Sequence, residues 1–176
     1  PTIEADEMSF NIPNTWVWKR LGEVGSTNVG LTYKPAHKVN DGVPVLRSSN
    51  IQDGDLCLKD LVRVNTDYRD KDVIKEGDLL ICARNGSRRL VGKCTIIGPI
   101  DEVMVFGAFM AIYRSLINPY IQLFIQSPQY RSKLDGVETT TINQITQGNL
   151  KATTAPIPPL EEQKAIVEVV NQLFTE

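Results

Sequence analysis

The chain is poor in the residues from which active sites are most often built. It holds one histidine, His37, and three cysteines, Cys57, Cys82 and Cys94, at wide spacing with no CxxC pair. One imidazole and scattered thiols supply neither a zinc cluster nor a disulfide framework, so no metal is expected and a reducing cytoplasm is the expected compartment. No apolar run approaches the roughly 18 residues that cross a bilayer. The opening PTIEADEMSF is acidic and polar where a signal peptide is basic and then apolar, and a start on Pro1 in place of Met is what a processed or excised chain would show. A formal charge of -2 argues against sequence-independent nucleic-acid binding, because affinity for phosphate accumulates from Lys and Arg.

Fragments that imitate catalytic motifs fail in their details. NPY, Asn118 to Tyr120, is one proline short of the adenine methyltransferase loop and follows no glycine-rich cofactor loop, so it reads as a helix start. GSRRLVGKC, Gly86 to Cys94, puts five residues between its glycines where a phosphate-binding loop needs four, and Cys94 stands where the magnesium-binding hydroxyl belongs. EQK, Glu162 to Lys164, opens a helix and has no paired aspartate in a strand, which suits a solvated helix face. The aspartates fall mostly in turns, where they cap the backbone. No catalytic residue, cofactor or metal ligand is assigned.

What is present is a grammar of short strands. In 176 residues there is room for one domain and a short appendage. From Trp16 to about Arg114, short apolar runs alternate with turn signals such as Asp41-Gly42 and Asp53-Gly54, which predicts a mainly antiparallel sheet. Leu79 to Ala83 and Leu90 to Ile97 form one expected pair, and Met104 to Arg114 reads as a long buried strand with a bulge or close approach at Gly107. Asn118-Pro119 and Ser127-Pro128 each read as a cap followed by proline at the first helical position, with Gly136 as the stop. The Thr- and Gln-rich stretch after it carries too few apolar residues for a core element, though Ile142, Ile145 and Leu150 could pin it down. Pro156, Pro158 and Pro159 then predict a stiff, non-helical spacer and a boundary. Beyond it Glu161 and Glu162 lie in a first helical turn, and Ile166, Val167, Val169, Val170, Leu173 and Phe174 recur at helical spacing.

Three polar segments are candidates for binding. Between Leu79 and Ile100 stand four cations, Arg84, Arg88, Arg89 and Lys93, and no acid. With Asn85 and Ser87 they combine phosphate-seeking charge with side chains that read base edges, since Arg forks onto guanine and Asn onto adenine. Taken alone, the loop is equally a solvated hairpin tip. TTTINQITQGN adds an uncharged hydrogen-bonding surface through Thr139, Thr140, Thr141, Asn143 and Gln144, and is in isolation equally a plain surface loop. Leu46 to Asn50 supplies Arg47, Ser48 and Asn50, of which Arg47 could instead serve a structural ion pair.

The order of these pieces is recognisable. IPNTWVWKRLGEV, GVPVLRSSNIQDGDL, IKEGDLLICARNGS, the helix pair, TTTINQITQGNLK and APIPPLEEQKAIV together resemble one half of the specificity subunit of a type I restriction-modification system. The likeness runs from about Ile12 to Phe174, and PIPPLEEQKAIV is its most specific motif. It implies an α/β (α+β) target recognition domain, a curved mainly antiparallel sheet with small helices, over residues 1–157. The start of a long spacer helix follows over 158–176. It further implies a non-catalytic module that reads half of a bipartite duplex DNA target. Methyltransferase subunits carrying S-adenosylmethionine, and restriction subunits reached indirectly, would do the chemistry. Ile166, Val169, Val170, Leu173 and Phe174 would meet the rest of the spacer, a second half, a second copy of this chain or a methyltransferase subunit. A protein-interaction module docking through this helix, and the recognition part of a fused restriction and methylation enzyme, are the competing readings.

Overall fold

The computed structural model describes residues 3–135 and 144–174. In chain order its elements are β1 (Val17–Arg20), α1 (Leu21–Val24), β2 (Ser26–Val29), β3 (Lys38–Val39), β4 (Val43–Leu46), β5 (Ile51–Gln52), β6 (Asp55–Leu56), β7 (Val62–Val64), β8 (Leu79–Cys82), β9 (Cys94–Ile96), β10 (Val105–Phe106) and β11 (Met110–Arg114). Helices α2 (Asn118–Gln126), α3 (Pro128–Asp135) and α4 (Gln147–Ala152), the strand β12 (Thr154–Ile157) and the helix α5 (Leu160–Leu173) complete it.

The strand β8 explains the architecture. Successive side chains of a strand point to opposite faces, and LLIC has an apolar residue at every position. Leu79 and Ile81 accordingly pack with Tyr113, Ile121, Phe124, Ile125 and Tyr130 under α2 and α3. Leu80 and Cys82 face the other way, against Leu46, Ile74, Ile97, Phe106 and Met110. The sheet that separates these cores runs β2-β11-β8-β9 and is antiparallel throughout. A second sheet runs β10-β4-β7-β3, with β10 parallel to β4 and the other pairs antiparallel. Two ribbons stand apart, β5-β6 closed through Asp53 and Gly54 at positive φ, and β1-β12. The expected class, α/β with mainly antiparallel strands, small helices and a C-terminal helix, is the one observed.

Four local expectations are corrected. Met104 to Arg114 is two strands in two sheets: the Gly107 N–H donates to the Leu46 carbonyl, and the chain turns there because Met110 must reach the other sheet. Asn118 is not a cap. It is 2% exposed and its amide donates to the Gly77 carbonyl and to the buried Tyr113 carbonyl, an acceptor that needs a donor, while Ile117 takes the cap position. Ser127 does cap α3, its Oγ accepting from the Tyr130 N–H at 3.2 Å. The polar stretch contains α4, capped by Thr146 and anchored by Leu150 and Ile145; one well-placed leucine suffices for a six-residue helix that covers a core edge. Pro156 is no spacer. It is buried in β12 opposite Trp18, and proline is accepted because β12 has one strand neighbour and one unpaired edge.

α5 begins on the domain rather than beyond it. Gln163, 6% exposed, donates to the Pro158 carbonyl at 2.8 Å, and Ile166 and Val167 pack on the core that α2 covers. The Tyr120 hydroxyl donates to the Pro156 carbonyl at 2.6 Å, so α2 holds the strand from which α5 departs.

Candidate nucleic-acid interface

The ends of the central strands build the site. β8 and β11 run antiparallel, with Met110 opposite Cys82. Past that pair the Ala83 and Arg84 N–H groups both donate to the Phe109 carbonyl, at 3.0 and 2.9 Å. The Arg84 guanidinium carbon then lies 5.0 Å from the Phe109 ring centroid, a cation–π distance. A β-bridge joins Arg84 to Gln144, and Ala83 accepts the Ile145 N–H, so the segment after 143 is stitched to the same strand end.

Asn85 organises the loop beyond Arg84. Its Oδ1 accepts the Ser87 N–H at 2.9 Å, and its Nδ2 donates to the Ser48 hydroxyl at 3.3 Å, 37 residues away in sequence. Two loops predicted separately are thereby brought together. Arg47 enters the same corner, its Cγ 4.0 Å from where a Cβ on Gly107 would lie. Arg88 and Arg89 form a short 3-10 turn with Leu90 on the α3 side. Arg131 of α3 donates to both the Arg88 and Arg89 carbonyls, and Arg88 donates to the Leu134 carbonyl at 3.1 Å. Lys93 is half-buried beside the lip, opposite Cys82.

Asn50 is corrected. It is 1% exposed; its Oδ1 accepts the Arg47 N–H and its Nδ2 donates to the Cys57 and Lys59 carbonyls. A fully engaged amide closes the 48–50 turn and is not offered to a partner. Thr139, Thr140, Thr141 and Asn143 lie outside the described residues. Arg131 and Phe109 were missed by sequence reasoning: Arg131 sits inside an apparent helix, and Phe109 inside an apparent core strand, although Gly107 marked the place where that strand breaks.

Burial pushes the Cys94 thiol up to about 12 and raises that of Cys82, so neither is a nucleophile at neutral pH. Among the described residues no group of three His, Cys, Asp or Glu side chains could hold a metal ion, and no helix is long and apolar enough to cross a membrane. The arrangement can donate hydrogen bonds and place positive charge.

The α5 residues expected to meet a partner divide. Ile166 is turned partly onto the domain and Val170 is half-buried, whereas Val169, Leu173 and Phe174 are 54, 69 and 88% exposed. A groove of about 940 Å³ between α2 and α5, lined by Leu116, Pro119, Leu160 and Val167 among others, runs along the docked face.

Fold and site together give two sheets that carry a cationic, hydrogen-bonding lip at one strand end, and a C-terminal helix docked along part of its apolar stripe. The family model described as "Type I restriction modification DNA specificity domain" matches residues 13–176, and the chain belongs to that family. It is 30% identical over 174 residues to the type I restriction enzyme EcoKI specificity subunit of Escherichia coli K12, covering 94% of this chain and 37% of that one. The StySPI specificity subunit of Salmonella potsdam is 31% identical, again covering 94% of this chain and 37% of the relative. The crystal structure of the HsdS subunit from Thermoanaerobacter tengcongensis shares the fold, with a TM-score of 0.72 at 22% identity over 95% of this chain and 39% of that one. The chain thus spans well under half the length of the proteins it matches.

Proposed function

We propose that this chain is a non-catalytic, sequence-specific reader of duplex DNA that recognises one half of a bipartite target of a type I restriction-modification enzyme. The observation that carries the reading is the convergence at one strand end of Ser48, Arg84, Asn85 and Gln144, flanked by Arg88, Arg89 and Arg131. Cations there position the protein on phosphates, while the Ser, Asn and Gln groups and one or two Arg discriminate bases. Family membership supports it, as do the names of relatives, which are specificity subunits of restriction enzymes.

In this reading residues 1–157 are the recognition domain and 158–176 the start of the spacer. Val169, Leu173 and Phe174 face the rest of the spacer, a second half or a methyltransferase subunit. The methyltransferase and restriction subunits do the chemistry, in the cytoplasm. The deciding experiment places this chain within a full-length specificity subunit, assembles it with its methyltransferase partners and maps the methylated adenines. Exchanging residues 12–155 for those of a relative is expected to change one half of a bipartite site, and an unchanged site refutes the proposal. Within that enzyme, Arg88→Ala with Arg89→Ala is expected to weaken binding to all duplexes. It should lower the slope of log K against log salt by about 1.8, at about 0.9 per lost phosphate contact. Unchanged binding refutes the assignment of the patch.

A further inference from the structure

Phe109 is an anomaly on the lip. It is 58% exposed, on the turn between β10 and β11, with Arg84 on its ring; Asn85, next to Arg84 in the chain, bonds Ser48, and the stem of Arg47 lies at Gly107, two residues before Phe109. Its position is set by main chain. The Phe109 carbonyl accepts from Ala83 and Arg84, and the Met110 N–H closes the turn onto the Gly107 carbonyl at 2.8 Å. With its main chain held and Arg84 on its ring, this exposed side chain leaves apolar surface beside hydrogen-bond donors, and a partner that covers it gains by removing it from water.

The groove of a duplex offers one apolar group to such a ring, the 5-methyl of thymine in the major groove. Insertion as a wedge between base steps would require both faces of the ring. Arg84 lies over one of them, so the ring offers its edge and its outer face. We infer that Phe109 reads a thymine methyl within the half-site, with Arg84 held against the ring so that its fork addresses the adjoining base pair. This rests on the DNA-reading proposal above.

The test uses the full specificity subunit assembled with its methyltransferase partners, after the half-site has been mapped. Each thymine of that half-site is replaced in turn by uracil, which pairs identically and lacks the methyl. One position is expected to lose affinity about fourfold, the equivalent of one buried methyl group. Phe109→Ala is expected to weaken binding to the thymine duplex by a similar factor and to abolish the uracil effect at that position alone, without changing the salt slope. Phe109→Leu, which keeps apolar bulk, is expected to retain most of it. A half-site without thymine, a uracil scan that is flat, or uracil sensitivity unchanged in Phe109→Ala overturns the inference. So does tighter binding to a duplex mismatched at one step that depends on Phe109, which would make the ring a wedge. Because the exchange of residues 12–155 is scored separately, these results can fail while the half-site assignment stands.

Discussion

The strands that carry the candidate lip are clamped at their opposite end. Asp78 precedes β8 and Arg114 closes β11, about five to six residues along the strands, or roughly 17 to 20 Å, from Phe109 and Arg84. Asp78 is 2% exposed, and its carboxylate accepts from Arg114 Nε at 2.7 Å, from Arg114 Nη2 at 2.8 Å and from the Lys75 N–H at 2.8 Å. Asp78→Asn keeps the shape and replaces one acceptor oxygen by a donor, so a donor must then face the guanidinium or the Lys75 N–H. Removing one member of a buried pair costs about 3 to 5 kcal/mol, and the lower figure of about 3 applies because part of the Arg114 side chain reaches water. At about 2 to 4 °C per kcal/mol for a chain of this size, Tm should fall by about 6 to 12 °C. Urea unfolding should show a lower midpoint at unchanged slope. Asp78→Asn combined with Arg114→Met should cost clearly less than the sum of the two changes, because the stranded guanidinium is gone. A loss below about 1 kcal/mol for Asp78→Asn, or strict additivity, would mean that the pair is solvated and that main-chain pairing alone holds these strands in register.

Two further outcomes are expected from the packing. The Arg20 guanidinium donates to Glu7 and holds its carboxyl below the usual carboxylate range, and this tie keeps the N-terminal segment beside Trp18, whose ring meets Phe10 at 5.3 Å. A depressed carboxylate stabilises above its unfolded pKa and loses that contribution as pH falls through the folded value. Trp18 emission should therefore change between about pH 5 and pH 3 before global unfolding, and Glu7→Gln should show the acid-state emission already at neutral pH; identical profiles would refute the tie. At Gly30 a Cβ would press into the Phe106 and Gly107 carbonyl oxygens, main chain that cannot give way, so Gly30→Ala should destabilise by about 3 kcal/mol or more, and a stable, wild-type-like variant would contradict the close strand crossing at that point.

The helix at the C-terminus shows how far pattern reaches. Its apolar stripe was legible because recurrence at helical spacing is a local property of sequence, and the stripe's division into a docked part, Ile166 and Val167, and an exposed part, Val169, Leu173 and Phe174, was not. That division depends on α2, far upstream in the chain, and on where β12 delivers the helix. Pro156 misleads for the same reason: a proline reads as a strand breaker unless one knows that its strand has a free edge.

By itself the sequence determined the strand-rich class, the Asp-Gly turn, the Ser127 cap, the acid-free cationic loop and the run of motifs that places the chain in its family, because turn chemistry, residue periodicity and motif order are all written locally. Tertiary structure decided which polar residues meet. Ser48 joins Asn85 and Gln144 joins Arg84, because these partners are assigned by the crossing of distant segments, while Asn50 is withdrawn because the chain from 47 to 59 folds back on its amide. It also decided that Phe109, an apolar residue in an apolar run, stands in water, since a short turn between sheets exposes a side chain that either strand alone would bury.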